Sequence, residues 1–515
     1  MSSLDQAEYY SISRLRWNTL VFTGGKGINA ALSLSIFALI ASSLSKADFA
    51  VYAWLIAFVE LSNNLSRFGI NWAVDRYVPQ LRSTSNSMAL RRFLLIMTGL
   101  RLGLVLLMAG VVFWGGEALL SLSGKEDWIP TFNRYVIIII PFALMTFFRD
   151  VVFQSLLQQA HSQGNTTIRH LIFLAVLLVS LLVSEQLTLN HVIYGDIAAT
   201  VVAVTFAIFQ LGYLLRQLPY ATAPTSTVLP SWRGIARFAA NSYANEVLRM
   251  SGSGYAVMTA APHLLTTIAL APYGFCQTLF SQLNRFLPAH LFSGLYRPRL
   301  IAQYTKTGSF EALNWQLILI LKVSNYILAA GIVVFSIYGA EILALLSGGK
   351  YADAKGLMLL FLFLMLIDNH RQVLMALCNT IERVEFLSRA SLFLPFVVPI
   401  AILLVIAGLG AFGMVLALIL ADLLCVGAII YQLRSNGYRL EVDLFGQARI
   451  AAAAVITAAL GMVIHSYHPD TWFWTLAGMI LTGVVFVTVA RILRPMAAHE
   501  REMIERMVGR RIHVI

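Results

Sequence analysis

Two arginines about 220 residues apart, Arg67 and Arg285, each sit in a segment that is otherwise apolar and long enough to cross a membrane. The same spacing introduces both: Leu61, Leu65, Arg67 and Phe68 in the first copy, Leu279, Leu283, Arg285 and Phe286 in the second. The copies continue into Tyr77-Val78-Pro79-Gln80-Leu81 and Tyr296-Arg297-Pro298-Arg299-Leu300. A guanidinium at membrane depth costs at least about 2.5–3.5 kcal/mol on insertion scales, so it faces a cavity or a partner instead of lipid. Its planar fork of donors suits phosphate oxygens. Two such placements point to a two-lobed protein around a cationic cavity. About ten residues separate each arginine from the tyrosine that follows, roughly 15 Å at helical rise, which sets them deep in the membrane.

Other intramembrane polar residues extend this chemistry. Lys26, in Gly24-Gly25-Lys26-Gly27, is either a head-group ligand or a snorkelling lysine, and its glycines permit close backbone approach. Asn241, Asn245 and Arg249 recur every fourth residue, which puts amide and guanidinium donors on one helix face for sugar hydroxyls and phosphate. Glu246 stands three residues before Arg249, so a buried ion pair competes with that reading. Ser251-Gly252-Ser253-Gly254 reads as a hinge or a tight-packing point, with packing favoured. Asp368 and Arg371 are spaced to pair, Arg149-Asp150 is ambiguous, and Lys322 is equally open, with snorkelling to the cytoplasmic face one of its readings. Glu60, Glu246, Asp368 and Asp422 are the candidates for ion coupling, with proton and sodium both open. No cofactor is expected. Cys276, Cys378 and Cys425 lack metal-type spacing and read as core residues, so no metal site is expected either.

The elements that must hold these residues are membrane helices. The chain has 515 residues, 58% of them hydrophobic and 12% charged, with mean hydropathy +0.75. That composition excludes an ordinary soluble domain. The polar start lacks a signal-peptide pattern, so the first hydrophobic segment is expected to remain. About fourteen spans are predicted, at 19–43, 49–74, 93–114, 132–153, 170–185, 190–215, 238–260, 268–295, 316–340, 355–376, 388–408, 413–433, 450–467 and 472–491. Alternating the loops leaves one side only Lys46, Lys125, Arg134, Lys350 and Lys355. The other holds most of the arginines, so both termini are expected in the cytoplasm. The same bias explains the net charge of +12 without a nucleic-acid partner. The basic tail, 496–515, is expected on the inner membrane surface against anionic lipid.

Two further matches keep the order of the repeat: Phe49-Ala50-Val51-Tyr52 with Leu270-Ala271-Pro272-Tyr273, and the stretch from Trp114 with that from Tyr338. They fall six spans apart, which implies two lobes of parallel topology. The predicted organisation is an all-α membrane protein with lobes at 1–218 and 219–440, two additional helices at 441–495 and the tail.

The stretch from Tyr338-Gly339-Ala340-Glu341-Ile342-Leu343 through Gly348-Gly349-Lys350-Tyr351-Ala352-Asp353-Ala354 to Gly410-Ala411-Phe412-Gly413 resembles the polysaccharide-transport branch of the multidrug/oligosaccharidyl-lipid/polysaccharide (MOP) exporters, in particular Wzx-type oligosaccharide flippases. Leu44-Ser45-Lys46-Ala47-Asp48-Phe49-Ala50-Val51-Tyr52 and Val74-Asp75-Arg76-Tyr77-Val78-Pro79 are similar to it as well. The resemblance implies two six-helix bundles that alternate access in the bacterial inner membrane. The implied cargo is undecaprenyl-pyrophosphate-linked oligosaccharide, and the implied partners are membrane lipid, a polysaccharide polymerase and export machinery. It implies that the first, second, seventh and eighth spans line the cavity, and these carry Lys26, Arg67, Arg249 and Arg285. Members often have an acidic or apolar residue just before the glycine matching Gly69, where this chain has Arg67-Phe68. By the same analogy the last two helices either cover a groove for the prenyl tail or only stabilise the bundle.

An enzyme is disfavoured. The longest external loop, around 115–131, offers only Glu117, Glu126 and Asp127, and no P-loop or acid–base constellation is present. A multidrug antiporter would need carboxylates and aromatics where the first span has Lys26 and no acid. A peptidoglycan-precursor flippase differs mainly in cargo and is not separated by charge.

Overall fold

The computed structural model describes residues 12–83, 87–217, 231–287, 300, 304, 306–440, 443–466, 471–497 and 500–501. Residues 296–299 of the second repeat copy, the lobe boundary near 218 and most of the basic tail lie outside the described residues. The described residues are about 90% helical and contain no strand. Among the described residues, ten helical segments are long and apolar enough to cross a membrane. Large apolar side chains such as Leu107, Leu182, Ile406 and Trp472 stay exposed on them, as a lipid-facing surface requires. The chain is a multi-pass membrane protein, and the predicted all-α class holds.

The chain divides into two compact units, Met1–Ser251 with Met258–Ala271 and Gly252–Val257 with Pro272–Ile515. The first contains α1 (Ile12–Ser43), α2 (Lys46–Leu65), α3 (Ile70–Ser83), α4 (Ser87–Leu122), α5 (Glu126–Ser155), α6 (Gln159–Ser184), α7 (Leu189–Gln217) and α8 (Trp232–Ser251). Its core joins Tyr77 and Val78 of α3, Phe93 of α4, Phe147 and Phe153 of α5 and Ala203 of α7, and Ile235 brings α8 into it. Close approach of α1 to α6 depends on Gly25, whose Cβ would lie 2.8 Å from that of Gln163. Beside it the Asn29 amide donates to Gln163 Oε1 at 3.2 Å.

Beyond α9 (Gly254–Ala260), which divides between the units, and α10 (Thr267–Asn284), the second unit holds α11 (Phe310–Ser347) and α12 (Ala352–Thr380). A continuous run, Val384–Ser435, follows and covers two predicted spans. It turns through Gly408 and Gly410, at φ 90° and 50°, into its last stretch, α13 (Gly410–Ser435). The added helices α14 (Leu444–Ser466) and α15 (Trp472–Leu493) dock on α11 through glycines. A Cβ at Gly461 would lie 2.2 Å from Ile337 Cδ1, and one at Gly478 would lie 2.3 Å from the Tyr338 hydroxyl. All three cysteines are buried free thiols.

Each predicted span finds a helix, and the departures concern the second, seventh and eighth. The second is not one helix over 49–74, because it breaks between α2 and α3 at Ser66–Gly69. The seventh breaks after Ser251, where Gly252 packs so closely that its Cβ would lie 2.5 Å from that of Leu394. The eighth ends at Asn284, so Arg285, like Arg67, falls in the turn after a helix. Tyr52 and Tyr273 of the repeat are both buried, whereas Trp114 is exposed and its counterpart Tyr338 buried.

Gly69 is the position where the break has the least freedom. Its φ is +76°, and a Cβ there would sit 2.0 Å from the Ala239 carbonyl oxygen. Gly69→Ala therefore combines left-handed strain, of order 1–3 kcal/mol, with a backbone collision. We expect a thermal unfolding midpoint lowered by several degrees, whereas the equally conservative Gly99→Ala, with open space around it, should leave the midpoint in place.

Candidate functional site

The turn after α2 is built by groups that take up the carbonyls released where that helix stops. Phe68 (φ 42°) and Gly69 (φ 76°) are left-handed. On one side Tyr243 of α8 donates its hydroxyl to the Leu65 carbonyl at 2.7 Å. Its ring stacks on Phe68 with centroids 4.8 Å apart. On the other side Arg101 of α4, buried, donates to the Ser66 carbonyl and to Asn63 Oδ1 at 2.8 Å. The turn is thus held from two helices, and Arg67 projects from it.

Arg67 Nη1 lies 3.5 Å from Glu246 Oε1. Arg249 Nη2 lies 2.8 Å from the other oxygen of the same carboxylate. Glu246 is 5% exposed, whereas the two arginine side chains are 30% and 33% exposed. One buried anion therefore holds two guanidiniums whose remaining donors reach solvent. They open on a cavity of about 180 Å³ lined by Arg67, Gly69, Asn71, Trp72, Asp75, Thr146, Asp150, Val151, Glu246 and Arg249. Pockets for drug-sized ligands run to about 300–1,000 Å³, so this one accommodates a head group and not a whole glycan. Its other acids are engaged: Asp150 closes on Arg149 at 2.6 Å, and Asp75 accepts from the Ser155 hydroxyl at 3.0 Å. The arrangement can exchange one carboxylate for the oxygens of a phosphate-type ligand.

Of the residues singled out by spacing, Arg67, Arg249 and Glu246 come together here. Asn241 and Asn245 share a face of α8 but do not line the cavity. Asn241 is exposed, and the Asn245 amide donates to the Asn241 carbonyl at 3.4 Å. Lys26 on α1 and Glu60 on α2 are half-buried and also lie off the cavity lining. In the second unit, Arg285 is exposed and forms no ion pair among the described residues. Its neighbour Asn284 donates to Asp368 at 2.9 Å. Asp368 pairs with Arg371 as its spacing predicts, and Arg371 Nε also lies 3.1 Å from Asp422. A guanidinium thus stands between two of the four carboxylates considered for ion coupling.

Lys322, open between two readings in the sequence, is paired. Instead of snorkelling it is fully buried, 2.6 Å from both Asp443 and Glu500, because those carboxylates fold back over α11. Spacing also missed Asp75 and the anchoring role of Arg101. Arg101 has no acid within one helical turn, so only its position in an apolar helix signalled a distant partner.

The class these features define is an all-α multi-pass membrane fold, and three solved structures are similar to it. One is a lipid II flippase, MurJ, in an inward closed conformation, with TM-score 0.66, 12% identity, and coverage of 95% of this chain and 100% of that chain. The second is an inward-facing multidrug resistance MATE family transporter of the MOP superfamily, with TM-score 0.61, 14% identity, and coverage of 82% and 95%. The third is a eukaryotic MATE transporter, with TM-score 0.55, 14% identity and the same 82% and 95% coverage. At these identities the likeness is one of fold. No protein-family model and no curated protein matches the sequence.

Proposed function

We propose that the chain is a flippase that moves undecaprenyl-pyrophosphate-linked oligosaccharide units across the bacterial cytoplasmic membrane, with both termini in the cytoplasm, and feeds a polysaccharide polymerase and export machinery. The observation that supports this reading is the convergence of Arg67 and Arg249, from separate elements, on one buried carboxylate at a head-group-sized cavity. Two forked donors against one acid leave one excess positive charge, which attracts a pyrophosphate diester. Lys26 in the first unit and Arg285 in the second are each further candidate cationic contacts for the cargo, and Asn241 and Asn245 offer amides to sugar hydroxyls. Glu60, Glu246, Asp368 and Asp422 are the candidates for ion coupling, with proton and sodium both open; Glu246 faces two guanidiniums, and Asp368 and Asp422 share one. Catalysis has no place in this reading.

A peptidoglycan-precursor flippase is the second reading. It is favoured by the lipid II flippase structure covering 95% of this chain, against 82% for the MATE structures. A carrier of cationic drugs fits less well, since Asp75, Asp150 and Glu246 all have partners.

The test is thermal stability of the purified chain with four ligands: undecaprenyl-pyrophosphoryl oligosaccharide, lipid II, undecaprenol without phosphate, and a hydrophobic cation. The expected result is stabilisation of about 2.7 kcal/mol at a hundred times the dissociation constant with the first ligand. Stabilisation by lipid II alone selects the second reading, and stabilisation by the cation alone overturns both.

A further inference from the structure

The cavity of the first unit carries two kinds of chemistry, and the cargo reading draws on only one of them. Arg67, Arg249 and Glu246 supply the charge. The rest of the lining includes Asn71, Trp72 and Asp75, which lie close together at the start of α3. A spacing of three puts Trp72 and Asp75 on one face of that helix, while Ala73, Val74, Tyr77 and Val78 turn into the core. Trp72 is 46% exposed as a result. Trp54 and Trp128 of the same unit are buried against each other's rings, whereas among the described residues no ring or cation stacks on Trp72.

The polar atoms beside this indole are acceptors in want of donors. Asn71 Oδ1 is buried with no hydrogen bond among the described residues. Asp75 accepts from the Ser155 hydroxyl through Oδ1 at 3.0 Å, which leaves Oδ2 for another donor. Buried acceptors are normally satisfied, so an orphan at a cavity marks a place where a ligand or water brings the missing hydrogen. The other polar lining on this side is committed, Asp150 to Arg149 and the Thr146 hydroxyl to the Ala143 carbonyl at 3.0 Å. An uncovered aromatic face flanked by two acceptors suits a sugar ring, which has an apolar C–H face and a rim of hydroxyl donors. A prenyl chain has no donors to offer, and a phosphate is repelled by the Asp75 carboxylate.

We propose that Trp72, Asn71 and Asp75 form a sugar subsite: the ring next to the pyrophosphate lies on the indole, and its hydroxyls donate to Asn71 Oδ1 and to the Asp75 carboxylate. The proposal rests on the flippase reading and deepens it, because it makes α3 the element that tells a glycosylated carrier from a bare one. A cavity of about 180 Å³, shared with the pyrophosphate, has room for one ring and leaves the rest of the glycan outside it.

The experiment is equilibrium binding of the purified full chain to three short-chain prenyl-pyrophosphate diesters of equal charge, esterified with glucose, galactose or methanol. Wild type should bind at least one glycosyl diester about tenfold more tightly than the methyl diester, the order expected of one aromatic stack with its flanking hydrogen bonds. The ratio of these affinities is the readout, since a structural change at the charged residues moves all three together. It should fall close to one in Trp72→Ala and stay near the wild-type value in Trp72→Phe, which keeps a flat ring. Trp72→Leu, which keeps apolar bulk without a ring, gives the same test if the alanine variant fails to fold. A ratio near one for both sugars in wild type overturns the subsite, and binding of the methyl diester then leaves the pyrophosphate reading intact. A ratio that persists without the indole overturns it equally. If none of the diesters binds wild type, the cargo reading fails and the subsite with it.

Discussion

Arg67→Gln/Arg249→Gln should lose pyrophosphate-lipid binding by a factor of a hundred or more. Each arginine offers charge-assisted hydrogen bonds of about 1.5–3 kcal/mol, so the pair contributes about 3–6 kcal/mol. The single variants should not divide this loss evenly. With Arg67 removed, Glu246 is left to Arg249 alone, and with Arg249 removed it is left to Arg67; in either case the site keeps one cation already matched by one anion. Each single change should therefore cost nearly as much as the double one, a strong departure from additivity of the kind expected for residues that share a partner. Removing both arginines strands a buried carboxylate, which costs about 3–5 kcal/mol of stability. The control is the triple variant that adds Glu246→Gln: it should regain stability without regaining binding. Equilibrium binding and thermal unfolding, measured on all of these variants, check both halves. Independent losses from the two arginines would mean that Glu246 does not bridge them in solution.

A comparably large effect is expected in the second unit. Arg371 is 16% exposed and lies between Asp368 and Asp422, at 7% and 11% side-chain exposure. Arg371→Met leaves two nearly buried carboxylates facing each other and should destabilise the protein by about 3–5 kcal/mol, with a much lowered unfolding midpoint. Adding Asp368→Asn and Asp422→Asn removes both stranded charges, and most of the stability should return. If the single variant unfolds like wild type, the cluster is hydrated and open. It would then be available to a mobile cation, contrary to the tethered guanidinium seen here.

The sequence carried the helices far better than the breaks between them. Hydropathy locates eleven of the fourteen expected spans in long apolar helical segments, because a window of about nineteen apolar residues is a strong and local signal; the second, seventh and eighth are not among those segments. The turn at Ser66–Gly69 is not local. It exists because α8 presses its Ala239 carbonyl against Gly69 and because Arg101 and Tyr243 receive the freed carbonyls, contacts between residues tens to nearly two hundred positions apart. The same distance hid half of the site. Glu246 and Arg249 are one turn apart and their pairing is legible from spacing, but nothing local announces that Arg67 shares the same carboxylate. Lys322 is a case that sequence leaves open. Its place two turns into a helix fits snorkelling, and only the fold brings Asp443 and Glu500 to it. The resemblance to MOP exporters, read from Gly, Tyr and apolar patterns, agrees in fold with the MurJ and MATE structures.

The most direct test of the account is translocation itself. Wild type, Arg67→Gln/Arg249→Gln and empty liposomes would be compared for delivery of a fluorescent undecaprenyl-pyrophosphoryl oligosaccharide to a membrane-impermeant glycosidase in the opposite compartment. The account predicts cleavage of inner-leaflet cargo with wild type only, and none when the pyrophosphate is removed from the lipid. Equal cleavage with wild type and the double variant, or equal movement of the lipid without pyrophosphate, would contradict it.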